Sequence, residues 1–278
     1  MILIADSGST KTAWTFVEDP SRVISTQGIN PFQQDEGAIC AILQHELLPA
    51  LGEKAASIQE IHFYGAGCTP EKAPIVATAL RATISTTARI NVESDMLGAA
   101  RGLCGRQPGI VCILGTGSNS CYYDGRNLHP GIPALGYILG DEGSGAYIGK
   151  RLVGDILKRQ LSDDLVRLFF DETHETQASI IQKVYREPLP NRFLASLSPF
   201  CARHRQHPAI HAFLLDCFSQ FFLRNILPLP HGQVHFVGSI AHYYRNELTE
   251  AAALQGYTVG TILQSPLEGL VKYHQEED

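Results

Sequence analysis

The stretch ILIADSGSTKTAWTF, from Ile2 to Phe16, decides how the whole chain reads, because a close echo of it, IVCILGTGSNSCYY, returns from Ile110 to Tyr123. Each begins as an apolar, β-branched run, passes through glycine set among hydroxyl residues, and resumes with strand character. That pattern predicts a hairpin with a very small turn. Glycine lets backbone come close to a ligand, and the exposed N–H groups of such a turn can converge on an anion. Two such turns, with carboxylates between and after them, read as a clamp for a nucleotide's phosphates, held across a cleft between two related halves.

The totals bound the partners. A chain of 278 residues has room for one large domain or two of ordinary size. A hydrophobic fraction of 44% with 18% charged residues describes a soluble globular protein. The net charge of -6 argues against nucleic acid as a main partner, since binding a phosphate backbone takes a basic face. Phosphate must then be held by backbone N–H groups and a metal. Asp6 interrupts the N-terminal apolar run at once, and no segment approaches the roughly 20 apolar residues that span a bilayer. The expectation is a cytoplasmic protein with no membrane contact. The seven cysteines are an odd number without a C-x-x-C pair, which fits neither a disulfide framework nor a zinc knuckle.

Along the chain, three strands (about Ile2–Ser7, Ala13–Glu18 and Val23–Gly28) precede a helix, and strands at Ile61–Tyr64 and Ala88–Val92 flank a helix over Ala73–Ser85. A further helix begins near Asp95. The order then restarts with Gly109–Leu114, Asn119–Tyr123 and Asn127–His129. Helices follow over Gly145–Arg159, Asp163–Phe170, Thr176–Tyr185 and Ala209–Leu227, then strands at Val234–Val237 and Tyr257–Ile262. The segments around Pro188 and His204 read as loops. This is α/β patterning with mixed β-sheets flanked by helices, opened twice by the same β-β-β run. The expected domains are 1–105 and 106–264, the second enlarged by a helical insertion. Ser265-Pro266-Leu267-Glu268 predicts a capped helix over about 265–278.

Candidate chemistry sits at the element ends. Asp6, ahead of Gly8, Ser9, Thr10 and Lys11, can hold Mg²⁺ directly or through water, although an acid in a hairpin also bonds its own backbone. Gly115, Thr116 and Gly117 form the second turn, with Asn119 just beyond. Asp95 lies where a strand gives way to a helix, a place that suits either an N-cap or a base aimed at a substrate hydroxyl. Asp141 and Glu142, packed among Gly140, Gly143 and Gly145, offer paired acceptors for a polyol, with Gly136-Tyr137 as a packing face; the alternative is an acidic helix N-terminus. Asn30 follows the third strand in what can be plain turn chemistry. Gly238 and Ser239 end a buried strand and offer a flat surface for adenine. His204, His207 and His211 have metal-like spacing without a clustered acid or cysteine to support it.

Together these segments resemble the actin-like ATPase (ribonuclease H-like) fold, and within it the N-acetylglucosamine kinase and BadF/BcrA-type ATPase family. Asp6 to Thr12 is similar to that family's first phosphate hairpin, with Ser7 and Ser9 in place of two glycines. Gly115 to Asn119 and Gly140 to Ser144 match its second hairpin and its Gly-Asp-Glu-Gly-Ser motif. The resemblance implies two actin-like domains, with the last helix returning to the first. It implies ATP and Mg²⁺, a small-molecule sugar substrate, and a homodimer as a common state of relatives. Asp95 would be the base; Asn30, Asn119 and Asp141 would contact the sugar; Asp6, Gly8, Gly115 and Gly117 would serve metal and phosphate. The expected function is an ATP-dependent kinase of an amino sugar, most simply N-acetylglucosamine, with N-acetylmuramic acid and glucosamine as alternatives. The rival reading is a BadF-type ATPase that works as a conformational switch. Such switches share an iron–sulfur cluster between subunits, for which Cys104 and Cys121 lack the flanking pattern.

Overall fold

The computed structural model describes residues 1–8, 10–84, 87–226, 229 and 232–276, with Pro130 described by its backbone alone. Ser9 and the expected helix ends at Ser85, Leu227 and Asp278 lie outside the described residues. The chain divides into two compact units, one of Met1–Pro108, Tyr123–Leu128 and Ser265–Asp278, the other of Gly109–Tyr122 and His129–Gln264.

Unit 1 contains β1 (Ile2–Ser7), β2 (Lys11–Phe16), β3 (Asp19–Gln27), α1 (Glu36–Ile42), α2 (Leu48–Leu51), β4 (Glu60–Gly65), α3 (Ala73–Thr83), β5 (Arg89–Ser94) and α4 (Asp95–Cys104). Unit 2 starts with β6 (Gly109–Leu114) and β7 (Ser118–Tyr123), followed by β8 (Leu128–Pro130), α5 (Gly136–Leu139), α6 (Gly145–Leu157), α7 (Asp163–Thr173), α8 (Gln177–Tyr185), α9 (Pro190–Arg203) and α10 (Pro208–Phe221). It ends with β9 (Gln233–Val237), α11 (Ser239–Tyr243), α12 (Arg245–Leu254) and β10 (Thr258–Leu263); α13 (Leu267–Gln275) closes unit 1.

The two sheets have one topology. The first runs β3-β2-β1-β4-β5 and the second β8-β7-β6-β9-β10, so each opens with a meander and adds two strands on the far side of its first. In the first sheet β1 pairs antiparallel with β2 and parallel with β4, which pairs parallel with β5. The α/β reading with two like domains is realised in this repeat.

Alternation along the strands decides which helices each sheet face binds. Leu3, Ala5, Ile61 and Phe63 enter the core that also holds Ile39 and Val76 from α1 and α3. Their neighbours Ile4 and Tyr64 enter a second cluster with Leu267, Leu270 and Val271 of α13. Both faces are therefore apolar, as sheets covered on two sides require. The helix α13 also packs on α4, where a Cβ on Gly269 would fall deep inside contact with the Gly102 carbonyl.

Unit 2 has one extended core, with α6 lying against α9. The helix α9 departs from the expected pattern. Pro188, Pro190 and Pro199 hide it in the sequence, since proline inside a helix removes a hydrogen bond and clashes with the preceding turn. Pro190 is tolerated in the first turn. Burial of Leu194, Leu197, Phe200 and Cys201 along one face outweighs the interior proline. The expected capping serine is present: α13 begins at Leu267, whose N–H donates to Ser265 Oγ at 3.3 Å, while the same hydroxyl donates to Asp6.

Candidate active site

Unit 1 gathers its candidate residues at the carboxyl ends of its parallel strands. Ser7 pairs with Gly65, and Gly65 with Ser94, so the chain segments leaving β1, β4 and β5 emerge side by side. Such an edge is where open α/β sheets bind ligands. It carries Asp6, and Asp95 follows Ser94 directly.

The sequence left Asp95 two roles, and the local geometry separates them. Ser94 is the N-cap of α4, its Oγ accepting from Leu97 N at 3.2 Å. Asp95 is thereby relieved of capping; its Oδ1 accepts from Met96 N at 2.9 Å. Burial pushes its carboxyl above the usual range, while the Met96 amide works the other way. Asp6 is raised to about 6, first by burial and further by the nearby Asp95 charge, against the hydrogen bond from Ser265. That bond, Ser265 Oγ to Asp6 Oδ2 at 3.1 Å, ties the strand to the residue leading into α13. Two desolvated carboxylates that repel one another are chemistry a divalent cation neutralises, so the pair fits a Mg²⁺ that keeps most of its own waters.

The serine replacing the first family glycine does not intrude on the turn. Ser7 is fully buried, its Oγ 2.6 Å from Thr12 Oγ1 and donating to Ile29 O at 3.0 Å. Its hydroxyl ties β1 to β2 and to the segment after β3, facing away from solvent. Gly8 N donates to Lys11 O at 3.0 Å to close the hairpin, and Gly8, Thr10 and Lys11 are exposed. Asn30 is buried; its Oδ1 accepts from Phe32 N at 2.9 Å, and its own N–H donates to Gln34 Oε1 at 2.8 Å. Gly67, at φ +78°, lies so close that a Cβ there would collide with Asn30 Oδ1. Gly67 and Ser265 are site residues the sequence reading missed. The signal for the first was the Gly65-Ala66-Gly67 run at the end of β4.

Unit 2 builds its part around the second hairpin. Gly115 N donates to Gly117 O at 3.0 Å, so that amide closes the turn and is spent. Gly145 N and Ala146 N, at the start of α6, donate to Gly115 O and Thr116 O at 2.9 and 3.1 Å. The carbonyls are thus satisfied by the helix, while the amides of Thr116 and Gly117 have no protein partner among the described residues. These two amides, rather than that of Gly115, are free for an anion.

Asp141 sits against this hairpin. It adopts φ +58°, a left-handed conformation that costs a non-glycine residue energy. A Cβ on Gly117 would come within 2.9 Å of Asp141 Oδ2, so glycine there leaves room for the carboxylate. Burial raises the Asp141 carboxyl, opposed by the Ser118 backbone amide. Asn119, Asp141 and Glu142 all line one cavity of about 260 Å³, together with residues 132–135 and Leu139. Arg224 and Asn225 complete it from a π-helical turn, Phe222–Ile226, that continues α10. Asn225 Nδ2 donates to Glu142 Oε2 at 3.3 Å, and Asn225 O accepts from Ser120 Oγ at 3.0 Å. Neither residue carried a motif; a widened helical turn is often a functional feature, but it is visible only in the fold. Tyr137 is partly buried against the core, its carbonyl accepting from Lys150 Nζ at 2.6 Å.

A larger hollow of about 570 Å³ in unit 1 is walled mainly by apolar side chains of α3 and β5. It borders Ser94 but none of the candidate residues, so size does not mark the site here. Gly238 follows β9 directly at φ +122°, with Ser239 next at the start of α11. The three histidines take separate partners: His204 meets Glu172 at 2.6 Å, His207 accepts from Ala209 N at 3.2 Å, and His211 meets Glu250 at 3.2 Å.

The raised Asp6 carboxyl gives a pH prediction. The folded state holds its proton more tightly than the unfolded chain, from 3.8 to about 6. Asp6 therefore costs no stability below pH ~4, costs progressively more between pH ~4 and 6 as the unfolded chain ionises first, and costs roughly 3 kcal/mol above that. Asp6→Asn keeps an acceptor for Ser265 and is expected to be more stable than wild type at pH 8 without Mg²⁺, and equal near pH 3.5. Urea unfolding at the two pH values checks it; a variant less stable at pH 8 refutes the assigned cost.

No family model matches the chain. The crystal structure of a Porphyromonas gingivalis protein, provisionally described as an N-acetylglucosamine kinase, superposes with a TM-score of 0.94 at 50% identity, over 99% of each chain. A Chromobacterium violaceum protein of the same provisional description gives a TM-score of 0.72 at 18% identity, over 98% of each chain, which is likeness of fold. The N-acetylmuramic acid/N-acetylglucosamine kinase of Clostridium acetobutylicum is 30% identical over 173 residues, 56% of this chain and 54% of that protein, so the match spans about half the curated relative's length. Among the described residues no helix is long and apolar enough to cross a membrane. With half of all positions identical from end to end and the same fold, the chain belongs to the N-acetylglucosamine kinase family.

Proposed function

We propose that the chain is an ATP-dependent kinase of an amino sugar, N-acetylglucosamine first among candidates. The observation that carries this reading is Asp95: its neighbour Ser94 takes over the capping, and the acid is left desolvated at the strand edge beside Asp6. A carboxylate with a raised pKa is suited to accept a proton from a sugar hydroxyl as that oxygen attacks the γ-phosphorus. The amides of Thr116 and Gly117 serve the phosphates, and Gly238 with Ser239 the adenosine. Asp6 would hold Mg²⁺, which when bound would supply charge neutralisation for the phosphates. Asn30, Asn119 and Asp141 are the groups assigned to the sugar on this reading. Asp141 and Asn119 line the same cavity, where their side-chain oxygens can bond sugar hydroxyls.

The experiment is ADP release from Mg·ATP across N-acetylglucosamine, N-acetylmuramic acid, glucosamine and N-acetylmannosamine. Turnover is expected to depend on an N-acetylated amino sugar and to be at least tenfold lower with glucose. A steady ATPase rate indifferent to every sugar would replace this reading with that of a conformational switch.

A further inference from the structure

The unit 2 cavity has walls of two kinds, and one group there has no use for a neutral sugar. Asn119 and Asp141 offer polar atoms to hydroxyls, and Leu135 and Leu139 form an apolar lip, exposed by 52% and 75%. Arg224 faces the same cavity from the π-helical turn. Its Nε donates to Gln220 Oε1 at 3.2 Å and lies 3.9 Å from Glu142 Oε1. Glu142 is already bonded by Asn225, and an ion pair this long on a side chain 64% exposed contributes little. The two terminal amino groups of Arg224 make no hydrogen bond among the described residues.

On the kinase reading above, we propose that Arg224 is a specificity-determining residue that receives a carboxylate carried by the sugar. The substrates then include amino sugars bearing a carboxyethyl ether, of which N-acetylmuramic acid is the simplest. A guanidinium presents parallel N–H donors that match a carboxylate in two hydrogen bonds, which a hydroxyl cannot do. The acids restrict where that carboxylate can go. Asp141 and Glu142 repel it, and Glu142 lies on the Nε side of Arg224, which leaves the terminal amino groups as its donors. The ether's methyl group then has the apolar lip to cover it. N-acetylglucosamine lacks the charge and binds without using Arg224 as an anion receptor.

The test compares N-acetylmuramic acid with its uncharged carboxamide, which has nearly the same shape. Wild type is expected to favour the acid by about tenfold in kcat/KM, the scale of a charge-assisted bidentate pair. Arg224→Gln should bring that ratio near one, and Arg224→Lys, with charge but no fork, should fall between. A ratio unchanged by Arg224→Gln, or phosphorylation of N-acetylglucosamine with neither lactyl sugar accepted, overturns the proposal. Calorimetric binding of the two lactyl sugars reads the same ratio without turnover. An acid preference that needs Arg224 in a protein that transfers no phosphate would refute the kinase reading alone; equal affinities refute the inference.

Discussion

Asp95→Asn is expected to fold, bind ATP and lose about 10²–10⁴-fold in kcat, the range that general-base removal costs. The substitution is nearly isosteric. An asparagine oxygen can still accept from Met96 N, and Ser94 still caps α4, so the helix keeps its start. What disappears is a proton acceptor. Burial raises the Asp95 carboxyl, so the neutral amide also removes a desolvation penalty, and the Asp6 carboxyl is relieved of a repelling neighbour. Activity and stability should therefore move in opposite directions. Single-turnover phosphoryl transfer, ATP-analogue binding and thermal unfolding on one preparation test this. Undiminished turnover removes Asp95 as the base, and a large fall in Tm would mean its role is structural.

Gly238→Ala is expected to destabilise unit 2 by at least ~3 kcal/mol, since two costs add. The residue sits at φ +122° and ψ 163°, a region open in practice to glycine alone. A Cβ there would also fall far inside contact with the carbonyl oxygen and carbon of Leu114. Leu114 ends β6 and leads directly into the second hairpin. Relief of the clash must move that strand end, and Gly115 and Thr116 move with it. Nucleotide affinity should fall together with stability, a coupling that an ordinary core defect would not show. Gly154→Ala is the control: Gly154 lies inside α6 with nothing within 4 Å of an added methyl, and gains up to ~1 kcal/mol from helix propensity. A Gly238→Ala protein of wild-type stability would refute the argument.

The local code was legible wherever one principle acted alone. Short apolar, β-branched runs in β1 and β6, glycine between short strands, and a Ser-Asp pair at a strand-to-helix junction all state their conformation within a few residues. The duplicated opening gave the repeat, and with it the order shared by the two sheets. Where principles competed, the sequence misled. Pro199 argues against a helix, yet four buried side chains hold α9 together. Ser265 does accept from Leu267 N at the start of α13, but nothing local announces that its own proton goes to Asp6, 259 positions away.

What the sequence determined by itself was the α/β class, the repeated topology and the chemical types at each strand end, because hydrophobic period and turn chemistry are set by neighbours a few residues apart. Only the tertiary structure decided which of those groups share an environment. The Asp6–Asp95 repulsion, the collision that keeps residue 67 a glycine, and the arrival of Arg224 and Asn225 beside Glu142 are all contacts between segments far apart in the chain. Burial and charge act through space, so a site whose chemistry depends on desolvation becomes readable only once the chain is packed.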